Sequence, residues 1–117
     1  DKVEQNTISQ KLTIKFLELT NENVIVINKL EAITFVSSSF SKLIQYNSKD
    51  LINAEISKIT NDSSFFTKMM YHFESDSYIE FNSTLILKNH TLLPIHIKAF
   101  LLDEDNSQQY ICLIEKI

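Results

Sequence analysis

The chain has 117 residues, 44% of them hydrophobic, a net charge of −4, one cysteine and no glycine. That is one domain with enough apolar mass for a core, and wholesale disorder is excluded. Without glycine there is no Walker-type phosphate loop and no dinucleotide fingerprint. Arginine is also absent, and the acidic balance leaves no basic footprint for nucleic acid. A single cysteine excludes an internal disulfide framework and a cysteine-rich zinc site, and it fits a reducing cytoplasm. No apolar run reaches the ~18 residues of a membrane-spanning helix. No cleavable signal pattern opens the chain.

Residues 1–20 read as an amphipathic helix. Ile8, Leu12, Phe16 and Leu19 draw one apolar stripe, with Lys11, Lys15 and Glu18 off it. Such a helix either packs on its own domain or serves as a dimer-forming connector, and the spacing leaves both open. Residues 21–117 form the domain proper. Val24 to Ile27 is a β-branched strand, Asn28 to Glu31 a turn, and Ala32 to Val36 a second strand, giving a hairpin. Ser37, Ser38 and Ser39 offer N-caps for a helix carrying Phe40, Leu43 and Ile44. Asn47 to Asp50 is a second cap signal, leading to Leu51 and Ile52. Ser57 to Asp62 is polar apart from Ile59. Ser63 or Ser64 caps a helix reaching about Ser75, with Phe66, Met69, Met70 and Phe73 on one face.

The last forty or so residues read as three antiparallel strands. Phe81, Leu85 and Leu87 share a face, opposite Glu80, Asn82, Thr84 and Lys88. Ile95, Ile97, Ala99 and Leu101 share a face, opposite Pro94, His96, Lys98 and Phe100. Asp103 to Ser107 is an acidic turn. Ile111 and Leu113 then oppose Tyr110, Cys112 and Ile114. The economical fold is α+β: a five-stranded antiparallel sheet with its helices on one face, preceded by the N-terminal helix. Ile111 and Leu113 are expected to join Phe81, Leu85, Ile97, Ala99 and Leu101 on the inner face. Phe100, Tyr110, Cys112 and Ile114 are then left on the outer face, an apolar patch that needs a cover. The N-terminal stripe is the candidate, from this chain or a second copy.

The order of elements and the local wording resemble the PAS sensor domain family. Asn23-Val24-Ile25-Val26-Ile27-Asn28 is similar to its first strand and turn. Ile33-Thr34-Phe35-Val36-Ser37-Ser38-Ser39-Phe40 is similar to its second strand and helix start. Leu43-Ile44-Gln45-Tyr46 with Lys49-Asp50-Leu51-Ile52-Asn53, and Lys88-Asn89-His90-Thr91-Leu92-Leu93-Pro94-Ile95, resemble its middle segment and its long hairpin. Ile114-Glu115-Lys116-Ile117 stands where the family ends its last strand, with lysine in place of an aspartate. Glu31, Gln45, Asn53, His90 and Asn106 stand where the family favours glycine. Asparagine tolerates left-handed backbone at modest cost. Glu31, Gln45 and His90 do so less readily, so those turns are expected to differ in type.

The resemblance implies a sensory and protein-interaction module of a bacterial signalling protein, such as a kinase, cyclase or chemoreceptor, and no enzyme activity. A small ligand would bind in an apolar hollow lined by Phe35, Phe40, Leu43, Met70, Phe73, Phe81, Leu85, Ala99 and Leu113. Ala99 is the small residue that leaves room. The N-terminal helix, or a homodimer through Ile8, Leu12, Phe16 and Leu19, would relay the change to an effector domain of the same polypeptide. This reading requires Ile97 and Leu113 to face one shared hollow. A hollow filled by its own side chains, leaving a dimerisation scaffold, is the alternative.

Haem is a further alternative. His72 lies near the position of an iron ligand in one branch of haem-binding relatives. Flavin photochemistry is not expected, because Asn61-Asp62-Ser63-Ser64-Phe65 lacks the cysteine such domains need. His90 and His96 read as exposed, and Cys112 as a small apolar residue. Ser37 to Ser39 read as caps, not nucleophiles. Asp103 to Asp105 read as a solvated turn, not a metal site. Glu80 points outward by period. An isomerase or hydrolase would need it buried beside His72.

Overall fold

The computed structural model describes residues 21–60, 67, 69, 78–104 and 107–117. The chain order is β1 (Val24–Asn28), β2 (Ile33–Val36), α1 (Ser38–Ile44), α2 (Ser48–Leu51), a 3-10 turn (Ile56–Lys58), β3 (Tyr78–Ile86), β4 (Leu92–Glu104) and β5 (Ser107–Lys116). The strands form one antiparallel sheet in the order β2-β1-β5-β4-β3. The stripe Ile8, Leu12, Phe16 and Leu19 lies outside the described residues, as do Met70, His72 and Phe73. Within 61–77, Thr67 and Met69 are helical.

Local chemistry explains the first half. The Asn28 side-chain carbonyl accepts the N–H groups of Leu30 at 2.9 Å and Ala32 at 3.1 Å, closing the β1–β2 turn. Ser37 caps α1 by accepting the Phe40 N–H. Phe40 and Ile44, four residues apart, are the buried face of α1.

The stretch 53–60 guards both sheet edges. Asn53 N–H donates to the Ile33 carbonyl at 2.7 Å, and Ile33 N–H to that of Ala54 at 2.8 Å. Ile56 N–H donates to the Glu31 carbonyl at 2.8 Å, so β2 has a partner on its free side. At the other edge, Ile86 N–H donates to the Ile59 carbonyl at 2.8 Å and the Thr60 hydroxyl to that of Thr84 at 2.8 Å. Unpaired strand edges invite association with other chains, and this strap removes much of that hazard.

Several expectations are overturned. The turns at Glu31, Gln45 and His90 do not change type. Their φ values are 67°, 70° and 69°, and Asn53 has 70°, so each keeps the left-handed backbone that glycine would favour. Asn106 lies outside the described residues. The second correction concerns β5. Ala99 pairs with Cys112, Ile97 with Ile114, and Lys98 with Leu113. Paired residues share a face, so Tyr110, Cys112 and Ile114 lie under the helices, while Ile111 and Leu113 lie on the opposite surface. Ile97 and Leu113 therefore do not face one hollow. The expected acidic turn is also shorter, since the ladder runs on to Glu104 paired with Ser107.

A bulge moves Phe35. Val26 pairs with Phe35 and Ile27 with Ile33, so Thr34 is the extra residue on β2. Ile33 and Val36 both reach the core, and Phe35 joins Val24, Val26, Ile111 and Leu113 outside.

The left-handed residues give a direct test. Gln45→Gly removes a Cβ penalty at the α1 C-terminus and adds chain entropy to the unfolded state. The net gain expected is roughly 0.5–1 kcal/mol. A urea midpoint unchanged or lowered in Q45G would contradict the strain assigned to this turn.

Candidate functional site

The inner cluster lies between the sheet and the helical side. Phe40 from α1, Leu85 from β3 and Ala99 from β4 are buried in it, and Leu43 and Phe81 pack against it half-buried. Of the residues expected to line a hollow, these five come together. Phe35 and Leu113 do not, because the bulge and the β5 register put them on the far side of the sheet.

Sequence reasoning put three inner residues, Tyr110, Cys112 and Ile114, on the outer face. Met69, Tyr110, Cys112 and Ile114 belong to this cluster. The Cys112 thiol donates to the Met69 sulfur at 3.9 Å, and Cys112 pairs with Ala99 on the neighbouring strand. Desolvation pushes the thiol up from 9.0 to about 12, so it stays protonated and unreactive. The available signal was Ala99 itself, since a small residue on a bulky face calls for a soft neighbour.

The outer face has two halves. Tyr78, Phe100, Ile111, Val26 and Phe35 pair in turn across all five strands, forming one apolar row. Val24, Val26 and Ile111 are 0%, 1% and 5% exposed, whereas Tyr78 and Phe100 are 40% and 38% exposed. The Tyr78 and Phe100 rings lie 5.0 Å apart. Beyond this row the face turns polar. His96 Nε2 lies 2.8 Å from Glu80 Oε1, and Nδ1 lies 2.7 Å from Asn82 Oδ1. Lys98 Nζ is 3.5 Å from Glu115 Oε1. The His96 hydrogen bond, then that from Tyr78, holds the Glu80 carboxyl below its ordinary range. Tyr78 is raised, by desolvation first and then by its bond to Glu80.

This polar group is solvent-exposed on a sheet face, and Glu80 serves His96 there instead of a buried acid–base pair. Among the described residues, no three His, Cys, Asp or Glu side chains form a metal-holding group. Nor is any helix among them long and apolar enough to cross a membrane.

A family model described as PAS domain matches residues 21–117. No curated protein matches the chain. Solved structures agree in fold. One is the PAS domain of a two-component sensor histidine kinase, at TM-score 0.75 and 10% identity, covering 92% of this chain and 99% of that one. Another is the PAS domain of an HTR-like protein from Haloarcula marismortui, at TM-score 0.76 and 12% identity, covering 97% and 99%. A third, from nitrogen regulation protein NR(II) of Vibrio parahaemolyticus, has TM-score 0.71 and 13% identity, covering 88% and 95%.

Two measurements check the site. Cys112 should resist a thiol reagent at pH 8 in native protein and react fully in urea. Because its folded pKa is raised, its contribution to stability is present below the unfolded value near 9.0 and is lost as pH rises through about 12. Rapid native labelling would show that the inner cluster opens. For Glu80 the sign is opposite: its depressed pKa favours folding above the unfolded value and is lost as pH falls through the folded one. His96→Ala should return the Glu80 midpoint toward the ordinary range in a carboxyl NMR titration. An unmoved midpoint would contradict the assigned cause.

Proposed function

Because this chain belongs to the PAS domain family, whose members are sensory modules of signalling proteins, we propose that it senses a small apolar ligand and relays its binding to an effector domain of the same polypeptide. The observation that carries this reading is a sheet with apolar clusters on both faces. The inner cluster, around Phe40, Leu85 and Ala99, is the place for the ligand. Leu43 and Phe81 would frame it, with Met70 and Phe73 as further lining candidates. On the outer face, Val24, Val26 and Ile111 are buried, and among the described residues their cluster is made of sheet residues, with Phe35 and Leu113 against it. The stripe Ile8, Leu12, Phe16 and Leu19 is the proposed cover, supplied within one chain or across a homodimer. A bound molecule shifts such a system only through its differential affinity for two arrangements of sheet and helices.

One observation favours the ligand-free reading. Cys112, the cross-strand neighbour of Ala99, is already in contact with Met69 through their two sulfurs. A scaffold would need no more. Native mass spectrometry separates the two. A small-molecule mass retained on the purified chain, and lost in Ala99→Leu, supports sensing. An empty spectrum with no thermal shift across a metabolite panel supports the scaffold. Substituting Leu12 and Phe16 by Glu should convert dimers to monomers by light scattering, and an unchanged mass would remove the stripe from the interface.

A further inference from the structure

Ser37 is 1% exposed and sits where the sheet, α1 and the chain ahead of β1 meet. Its hydroxyl accepts the N–H of Val24 at 3.0 Å and that of Phe40 at 3.2 Å, and donates to the carbonyl of Glu22 at 2.9 Å. A serine hydroxyl offers one hydrogen and two lone pairs, so every valence of this one is used. Capping α1 needs only the Phe40 bond. The bonds to Val24 and Glu22 span 13 and 15 residues of sequence and do something else.

The neighbouring bonds point the same way. Ser37 N–H donates to the Val24 carbonyl at 2.9 Å, and Ser41 N–H to the Ser37 carbonyl at 3.0 Å. Ser39 Oγ donates to Asn23 Oδ1 at 2.8 Å, and the Asn23 carbonyl accepts the Ile114 N–H at 2.9 Å. Residues 22–24 are thus bonded to α1 on one side and to β5 on the other. A buried hydroxyl cannot shed one partner cheaply, because the orphaned group has no water to turn to. If Glu22 moves, Ser37 moves with it. α1 follows through its capped first turn, and its buried face is Phe40 and Ile44.

We propose that Ser37 is a positioning residue that couples the segment ahead of residue 22 to α1 and the inner core. The inference deepens the relay reading above and rests on it. It assigns the mechanical link to one hydroxyl, independent of which molecule fills the core.

The test is amide exchange on the full chain. The reporters are Gln45 N–H, bonded to the Ser41 carbonyl, and Lys88 N–H, bonded to the Ile44 carbonyl. Neither touches Ser37. The perturbation is Leu12→Glu with Phe16→Glu, compared in four backgrounds: unchanged, S37A, S37G and S37T. Glycine is itself an acceptable N-cap, so S37G guards against a simple loss of α1. With Ser37 intact, the perturbation should change reporter exchange at least about fivefold. In S37A and S37G the same perturbation should change it less than about twofold, and S37T should restore the response. A merely structural serine would lower protection in every sample without altering the response. A response of equal size with and without the hydroxyl overturns the role of Ser37 and leaves the relay reading standing. No response in the unchanged background overturns both.

Discussion

The pairing of β4 with β5 governs which side chains of the last strand face the core. Glu104 against Ser107 sets Ala99 against Cys112 and Ile97 against Ile114. Since side chains alternate, one slip would exchange the two faces of β5 completely. Hydrophobicity alone would not resist that slip, because both faces of β5 are apolar in its middle. Shape does. The register brings Ala99 and Cys112 together, and Met69 meets the Cys112 sulfur there. A slipped strand would bring Ile111 or Leu113 beside Ala99, and a close-packed layer resists added volume.

The sheet is held against the helical side by a different device. β2 and β3 are the edge strands, and the stretch 53–60 bonds to one and then the other. Its path needs sharp reversals at Gln45 and Asn53, and the hairpins need them at Glu31 and His90. All four hold left-handed backbone without glycine. Each has its main-chain N–H bonded within the fold: Glu31 to the Asn28 carbonyl, Gln45 to that of Ser41, Asn53 to that of Ile33, His90 to that of Leu87. The surrounding pairing over-determines these backbones, so the side chain's reluctance is overruled.

What could be read directly from residues follows from how much contrast each strand carries. β3 alternates Phe81 and Leu85 with Glu80, Asn82 and Thr84, and β4 sets Ile95, Ile97 and Ala99 against His96 and Lys98. Their faces are legible from period alone. From Tyr110 to Ile114 every residue is apolar, so alternation carries no information, and a turn whose length is uncertain by one residue decides the face. Phe35 was misplaced for a related reason. Ile33 and Val36 both reach the core although three residues apart, which strict alternation forbids and the bulge at Thr34 permits. The strap was invisible because its bonds are mostly main-chain, and a polar run from Ser57 to Asp62 advertises none of them.

A five-stranded sheet with apolar clusters on both sides suits relay for a simple mechanical reason. In β5, Ile111 and Cys112 are consecutive residues, yet one belongs to the outer cluster and the other to the inner. In β1, Val24 and Ile25 are divided the same way. Any tilt of β5 or β1 that follows from repacking beneath the helices therefore displaces side chains on the far surface by the same rotation. No chain of side-chain contacts through the core is needed, because the strand is itself the common body. The strap bonds to the outer strands, β2 and β3, while among the described residues β1 and β5 supply the buried members of the outer cluster together with part of the inner one. Ser37 bonds to the start of β1, and Asn23 to β5, so the chain ahead of the sheet is anchored to that same central pair.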